Sequence, residues 1–166
     1  MLNEGLCTGC RLCELACSLF NTGIMRPSSS RIRVRTSRRE GCDRRRTPGS
    51  HGKGGFSITV CAQCENAPCA VVCPVHAIRW NPMRCAWEVR KASCLGCATC
   101  QLVCPLGAVR VGEESENHSG PGVAVKPVAA SKCELCDGRP RCVEICPTGA
   151  LSVQEIHALL FSRRRE

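Results

Sequence analysis

The sequence predicts a small α+β fold whose interior is filled by metal as much as by side chains, and three observations predict it. Of 166 residues, 18 are cysteine, about 11%. Sixteen of these fall into four groups with one spacing grammar, and three of the groups run into the same turn and a short alternating strand. Bulky apolar residues are scarce, with 2 Trp, 3 Phe, no Tyr and roughly 32% apolar residues once cysteine is set aside. A domain of this length normally closes its core with more than that.

The elements follow in chain order. The first group, Cys7, Cys10, Cys13 and Cys17, reads Cys-x2-Cys-x2-Cys-x3-Cys and is followed by Ser18. A run rich in Arg and Gly, residues 37–55, precedes a strand from Phe56 to Val60. The second group, Cys61, Cys64, Cys69 and Cys73, widens its middle gap to x4. Its last cysteine ends a helical turn at Ala70-Val71-Val72, and Pro74 bends the chain into the strand Ala77-Ile78-Arg79-Trp80. That strand and the stretch from Trp87 to Arg90 predict a hairpin pairing 77–81 with 86–90. Cys94, Cys97, Cys100 and Cys104 repeat the first spacing, with a helical turn at Gln101-Leu102-Val103, then Pro105 and the strand Ala108-Val109-Arg110-Val111. A strand from Val123 to Val128 leads to Cys133, Cys136, Cys142 and Cys146, whose middle gap is x5 and whose exit is Pro147-Thr148-Gly149-Ala150-Leu151. Gln154 to Arg165 places Ile156, Leu159 and Leu160 on one helical face with arginines in the last turn, which suits the helix dipole.

Three thiolates set three residues apart on a tight loop converge on three corners of one iron–sulfur cube, while strain keeps the fourth corner beyond the same loop. A distant cysteine closes the cage. The spacing is that of bacterial two-cluster ferredoxins, in which the fourth cysteine serves the other cluster of the pair. Sixteen such ligands predict four 4Fe-4S clusters. Groups two and three are separated by 20 residues (74–93), about the gap within one two-cluster unit, and the other groups flank them. The expected architecture is nested: an inner ferredoxin-like unit at 56–126, an outer one from 1–36 and 127–166, and the basic loop 37–55 between. Exchange within each unit assigns Cys7, Cys10 and Cys13 with Cys146, and Cys133, Cys136 and Cys142 with Cys17. In the inner unit Cys61, Cys64 and Cys69 take Cys104, and Cys94, Cys97 and Cys100 take Cys73.

Other uses of cysteine fit less well. Zinc ribbons use two separated Cys-x2-Cys knuckles, whereas here four cysteines fall within 11 to 14 residues. Disulfides need an oxidising compartment, and Met1-Leu2-Asn3-Glu4-Gly5-Leu6 reads as neither signal sequence nor twin-arginine leader, so the reducing cytoplasm is expected. No run approaches the roughly 18 to 20 apolar residues of a membrane helix, so no membrane insertion is expected. Cys42 and Cys85 read as spare thiols, Cys42 made more acidic by neighbouring arginines. His51, His76, His118 and His157 show no ligand spacing.

The formal charge of +9 invites a nucleic-acid reading, but sixteen thiolates and four oxidised cores of about +2 bring it to roughly +1. Ten basic residues between Arg26 and Lys53 face only Glu40 and Asp43. That stretch reads as a solvated loop or as a docking surface for an acidic subunit or a second copy of the chain. Only Phe56 lies beside it for base stacking, so nucleic acid fits poorly.

The residues Cys7-Thr8-Gly9-Cys10-Arg11-Leu12-Cys13-Glu14-Leu15-Ala16-Cys17-Ser18, Ser30-Arg31-Ile32-Arg33-Val34, Cys61-Ala62-Gln63-Cys64-Glu65-Asn66-Ala67-Pro68-Cys69 and Lys132-Cys133-Glu134-Leu135-Cys136-Asp137-Gly138 carry a family likeness. They resemble the four-cluster ferredoxin-like subunits of molybdenum, tungsten, hydrogenase and carbon-monoxide dehydrogenase systems. Within that family the chain looks most like the small iron–sulfur subunit of bacterial tungsten aldehyde oxidoreductases and benzoyl-coenzyme A reductases. The insert from Ser37 to Gly55 departs from the family pattern. The resemblance implies a non-catalytic relay between a large tungsten or molybdenum subunit and a flavin/NAD subunit or a ferredoxin. A hydrogenase or carbon-monoxide dehydrogenase partner is the alternative, and an iron–sulfur redox-sensing regulator is the alternative of another class. No phosphate loop, hydrolytic triad or nucleotide fingerprint argues for catalysis within the chain.

Overall fold

The computed structural model describes residues 2–36, 55–112 and 128–152. Outside them lie the basic loop up to residue 54, residues 123–127 of one expected strand, the expected C-terminal helix, Cys42, His51, His118 and His157. The described chain runs through helix α1 (Leu12–Thr22), strands β1 (Arg33–Thr36) and β2 (Phe56–Thr59), helix α2 (Pro68–Val71), strands β3 (Ile78–Asn81) and β4 (Ala86–Val89), helix α3 (Thr99–Leu102), strands β5 (Arg110–Gly112) and β6 (Ala129–Ser131), and helix α4 (Arg141–Glu144). This is an α+β arrangement.

Strands β1 to β6 form three two-stranded antiparallel ribbons, β1 with β2, β3 with β4 and β5 with β6. The β3–β4 hairpin sets Ile78 opposite Val89 and Asn81 opposite Ala86, and the Arg90 N–H donates to the Ala77 carbonyl at 2.8 Å. The expected pairing of 77–81 with 86–90 is therefore present. The strand leading into group four begins at Ala129 and pairs with the strand leaving group three, Val111 opposite Ala130. In the exit from group four, Leu151 forms an antiparallel bridge with Leu2, and the Asn3 N–H donates to the Ala150 carbonyl at 2.9 Å.

Two-stranded ribbons are marginal alone, and their edges invite further pairing. Side chains from around the cysteine loops occupy those edges. Glu14 accepts the Val34 N–H of β1 at 2.9 Å, and Glu4 the Ile58 N–H of β2 at 2.8 Å. Gln63 and Glu134 accept from Trp87 and Val89 of β4 at 2.9 and 3.1 Å, and Gln101 from Val111 of β5 at 2.7 Å. Glu14 and Gln101 each follow the third cysteine of a group, so the repeat extends to the ribbon contacts.

Helix α1 departs from the one-turn pattern of the other groups by running on through Cys17. The cause is Ser18, where the other groups have proline, a residue that would remove an N–H and clash with the preceding turn. Ser18 is fully buried, its hydroxyl donating to the Leu15 carbonyl and accepting the Arg26 N–H, both at 2.9 Å. Helix α1 packs on α4 and α2 on α3. Two small cores result, one of Cys13, Cys17, Ile32, Val34, Ile58, Ala150 and Leu151, the other of Ala67, Cys69, Ile78, Cys100, Val109 and Ala130. Among the described residues no aromatic ring and no methionine is buried.

In every group the residue before the second cysteine is left-handed: Gly9, Gln63, Gly96 and Leu135, with φ of 71°, 51°, 67° and 59°. Such a residue folds the loop back so that its amides face inward. Gly96→Ala is expected to destabilise the metal-loaded protein more than Gly107→Ala. Both positions are left-handed, a conformation that costs an L side chain about 1–2 kcal/mol. A Cβ at 96, however, would lie 2.6 Å from the Val128 carbonyl oxygen, whereas at 107 it meets nothing within 4 Å. Denaturant midpoints check the order, and equal midpoints would refute the packing argument.

Candidate metal centres

The short helices deliver each fourth cysteine to one shared turn. The Ala77 N–H donates to Cys73 Sγ at 3.2 Å and the Ala108 N–H to Cys104 Sγ at 3.3 Å. The residue before each alanine, His76 or Gly107, is left-handed and bonds back to the cysteine carbonyl at 3.1 Å. Gly149 and Ala150 repeat the turn after Cys146, and all three alanines are buried. The first group differs because α1 continues: Cys17 Sγ accepts the Arg31 N–H at 3.3 Å and Asn21 Nδ2 at 3.6 Å. Cys94 Sγ accepts the Ala130 N–H at 3.4 Å.

Three cavities of one size, about 20 Å³ each, are lined by cysteines drawn from two groups at a time. The first holds Cys7, Cys10 and Cys13 with Cys146. The second holds Cys61, Cys64 and Cys69 with Cys104. The third holds Cys94, Cys97 and Cys100 with Cys73. A fourth grouping is electrostatic: after burial, the Cys17 sulfur is among the charges that push up the thiols of Cys133, Cys136 and Cys142.

Desolvation dominates these sulfurs. It pushes Cys13 up to about 11 and Cys133 up to about 12, and it raises Cys69, Cys100, Cys136 and Cys142. Burial also raises Cys104, yet the N–H groups of Ala108, Val109, Leu106 and Gly107 together outweigh it and leave the thiol more acidic than usual. At Cys146 burial is likewise outweighed, by the Leu151 N–H and the Thr148 hydroxyl first. The exit turns after Cys104 and Cys146 therefore favour thiolate at those two sulfurs.

Repulsion also crosses between rings, after burial in each case: Cys13 raises Cys142, Cys61 raises Cys133, and Cys69 raises Cys100. Cys10 and Cys97 are the exposed cysteines among the described residues.

An iron–sulfur cluster suits this donor set. By the same measure of volume a single water needs about 10–15 Å³, so each cavity takes more than one small atom. Among the described residues no three His, Cys, Asp or Glu side chains converge closely enough for a single metal ion. The sulfurs stand around a space, with N–H groups aimed at several of them, as a thiolate-bound cluster requires.

No protein-family model matches the chain. It is 36% identical over 147 residues to the polyferredoxin-like subunit of aliphatic sulfonate oxidoreductase from Pyrococcus furiosus, covering 88% of this chain and 69% of that one. It is 35% identical to the electron transport protein HydN of Escherichia coli over 87% of this chain and 81% of that protein. With the putative electron transport protein YsaA of the same organism the identity is 34% over 96% and 91%. The chain belongs to the polyferredoxin-like iron–sulfur electron-transport proteins.

Two buried ionisable groups of this polyferredoxin-like chain stand beside its cysteines, and their depth was not legible in the sequence. Glu14 is 4% exposed, and its second carboxylate oxygen is buried without a hydrogen bond, 3.9 Å from Arg11 Nε. Lys132 is 0% exposed, lines the cavity of Cys61, Cys64, Cys69 and Cys104, and donates to the carbonyls of Trp87 and Cys133. Burial raises the Cys69 thiol and the Lys132 ammonium opposes it. Cys85 lies outside all four groupings, left-handed in the β3–β4 turn, its thiol donating to the Pro82 carbonyl at 3.4 Å. No helix of the described residues is long and apolar enough to cross a membrane.

Proposed function

We propose that the polyferredoxin-like chain holds four 4Fe-4S clusters, one per grouping, and relays single electrons for a catalytic subunit. The observation that carries this is the trio of equal cavities, each ringed by three cysteines of one group and the fourth of another. A cluster supplies one-electron exchange without bond breaking. The chain's part is to keep four such groups close, dry and in order.

The crossing repulsions support one order: the ring of Cys7, then that of Cys133, then that of Cys61, then that of Cys94. The exposed cysteines, Cys10 and Cys97, belong to the two ends of that order, where partners would exchange electrons. The nested division into an outer unit and an inner unit at 56–126 is supported by the packing of α1 on α4 and α2 on α3.

The catalytic partner we favour is a large tungsten or molybdenum aldehyde oxidoreductase-type subunit, with a flavin/NAD subunit or a ferredoxin at the other end, in the cytoplasm. The Pyrococcus furiosus relative is by name a subunit of an oxidoreductase, which supports a catalytic partner of some kind. Anaerobic affinity purification from the native host tests the reading. The expected eluate carries about sixteen iron atoms per chain and a large tungsten- or molybdenum-bearing subunit. Nickel would move the partner to a hydrogenase or carbon-monoxide dehydrogenase, and zinc in place of iron would overturn the relay.

A further inference from the structure

Among the described residues, Lys132 is the largest side chain to be completely withdrawn from solvent. Its ammonium donates to two carbonyls, those of Trp87 and Cys133, and among the described residues to no carboxylate. The carboxylate nearest in sequence, Glu134, is engaged by Arg31 at 2.9 Å and by the Val89 N–H. A buried cation is stable only opposite negative charge. The wall it shares with Cys61, Cys64, Cys69 and Cys104 supplies that charge when four thiolates surround a core of about +2, leaving about −2 in the ring.

Among the described residues the other rings have no fully buried cation beside them. The cavity of Cys7, Cys10, Cys13 and Cys146 is lined by Arg11, but that guanidinium is exposed and stands 3.9 Å from the buried carboxylate of Glu14. The two cations that act on Cys136, Arg31 and Arg141, are each paired with a carboxylate, Glu134 and Glu144. No charged side chain lines the cavity of Cys73, Cys94, Cys97 and Cys100.

We infer that Lys132 is the counter-charge of the centre held by Cys61, Cys64, Cys69 and Cys104, and that it gives this centre the highest reduction potential of the four. The inference rests on the cluster assignment proposed above. An unpaired positive charge in a low-dielectric wall stabilises the added electron more than the oxidised state. One electron enters the centre, and no bond forms or breaks. The electron then rests at an interior point of the proposed order, away from both exposed ends.

Redox titration of the anaerobic holoprotein, followed by electron paramagnetic resonance, tests this. Cys104→Ala is expected to abolish or alter the wave of highest potential, and Lys132→Met to move that same wave to lower potential while the other three stay. Lys132→Gln, neutral but still a hydrogen-bond donor, should shift it likewise, which a purely structural role for the side chain would not produce. An unmoved wave in an iron-complete Lys132 variant, or a highest wave that survives Cys104→Ala, overturns the inference. If neither Lys132 variant retains iron, the Cys104→Ala titration alone decides. Wild-type protein without reducible iron sinks the proposed function instead, so the two failures are distinct.

Discussion

Stripping iron from the purified protein with a chelator under reducing, anaerobic conditions is expected to unfold it, leaving no folded empty shell. Among the described residues its large buried aliphatic side chains are few: Ile32, Val34, Ile58 and Leu151 in one core, Ile78 and Val109 in the other, and Leu135 outside both. Alanine and cysteine make up most of the rest. Burial of one large aliphatic side chain contributes roughly 1.5–3 kcal/mol, and ordering a chain of this length demands many more than are present. The ribbons are three or four residues long and the single-turn helices four, far too short to persist alone. The clusters would therefore supply the contacts that side chains do not, and their binding free energy would be folding free energy. Far-ultraviolet circular dichroism during chelation reads the outcome. Retention of the full signal after complete iron loss would show that the polypeptide alone carries the fold.

Cys146→Ala is expected to damage the centre at the opposite end of the chain. Cys146 shares its cavity with Cys7, Cys10 and Cys13, not with the cysteines of its own group. Anaerobic alkylation of the variant followed by peptide mass spectrometry should find Cys7, Cys10 and Cys13 newly reactive while Cys133, Cys136 and Cys142 stay protected. Cys17→Ala should give the reverse pattern. Labelling confined to the substituted group in both variants would replace exchange with four self-contained centres.

The cysteine grammar, the β3–β4 hairpin and the exit turns were legible because each rests on local chemistry: thiol spacing, alternation and a proline that fixes φ. Proline also explains a misfit, since its absence after Cys17 lets α1 run to Thr22 where a short turn matched the other groups. The burial of Glu14 and Lys132 was not legible, because depth is set by how distant segments pack. Lys132 touches Trp87, 45 residues earlier, and nothing in its immediate neighbours announces that. The ribbon-edge acceptors Glu4, Glu14, Gln63, Gln101 and Glu134 escaped for the same reason, with partners between 10 and 54 residues away.

The cavity shared by Cys7 and Cys146 bears on how such a protein is made. At about 5–20 residues per second on the ribosome, Cys146 emerges roughly 7 to 28 seconds after Cys7, being 139 positions later. Through that interval three nascent thiols stand without their fourth neighbour, exposed to oxidants and stray metals. The cavity closed by Cys104 waits far less, so the middle of the polypeptide can mature before either of its termini is finished.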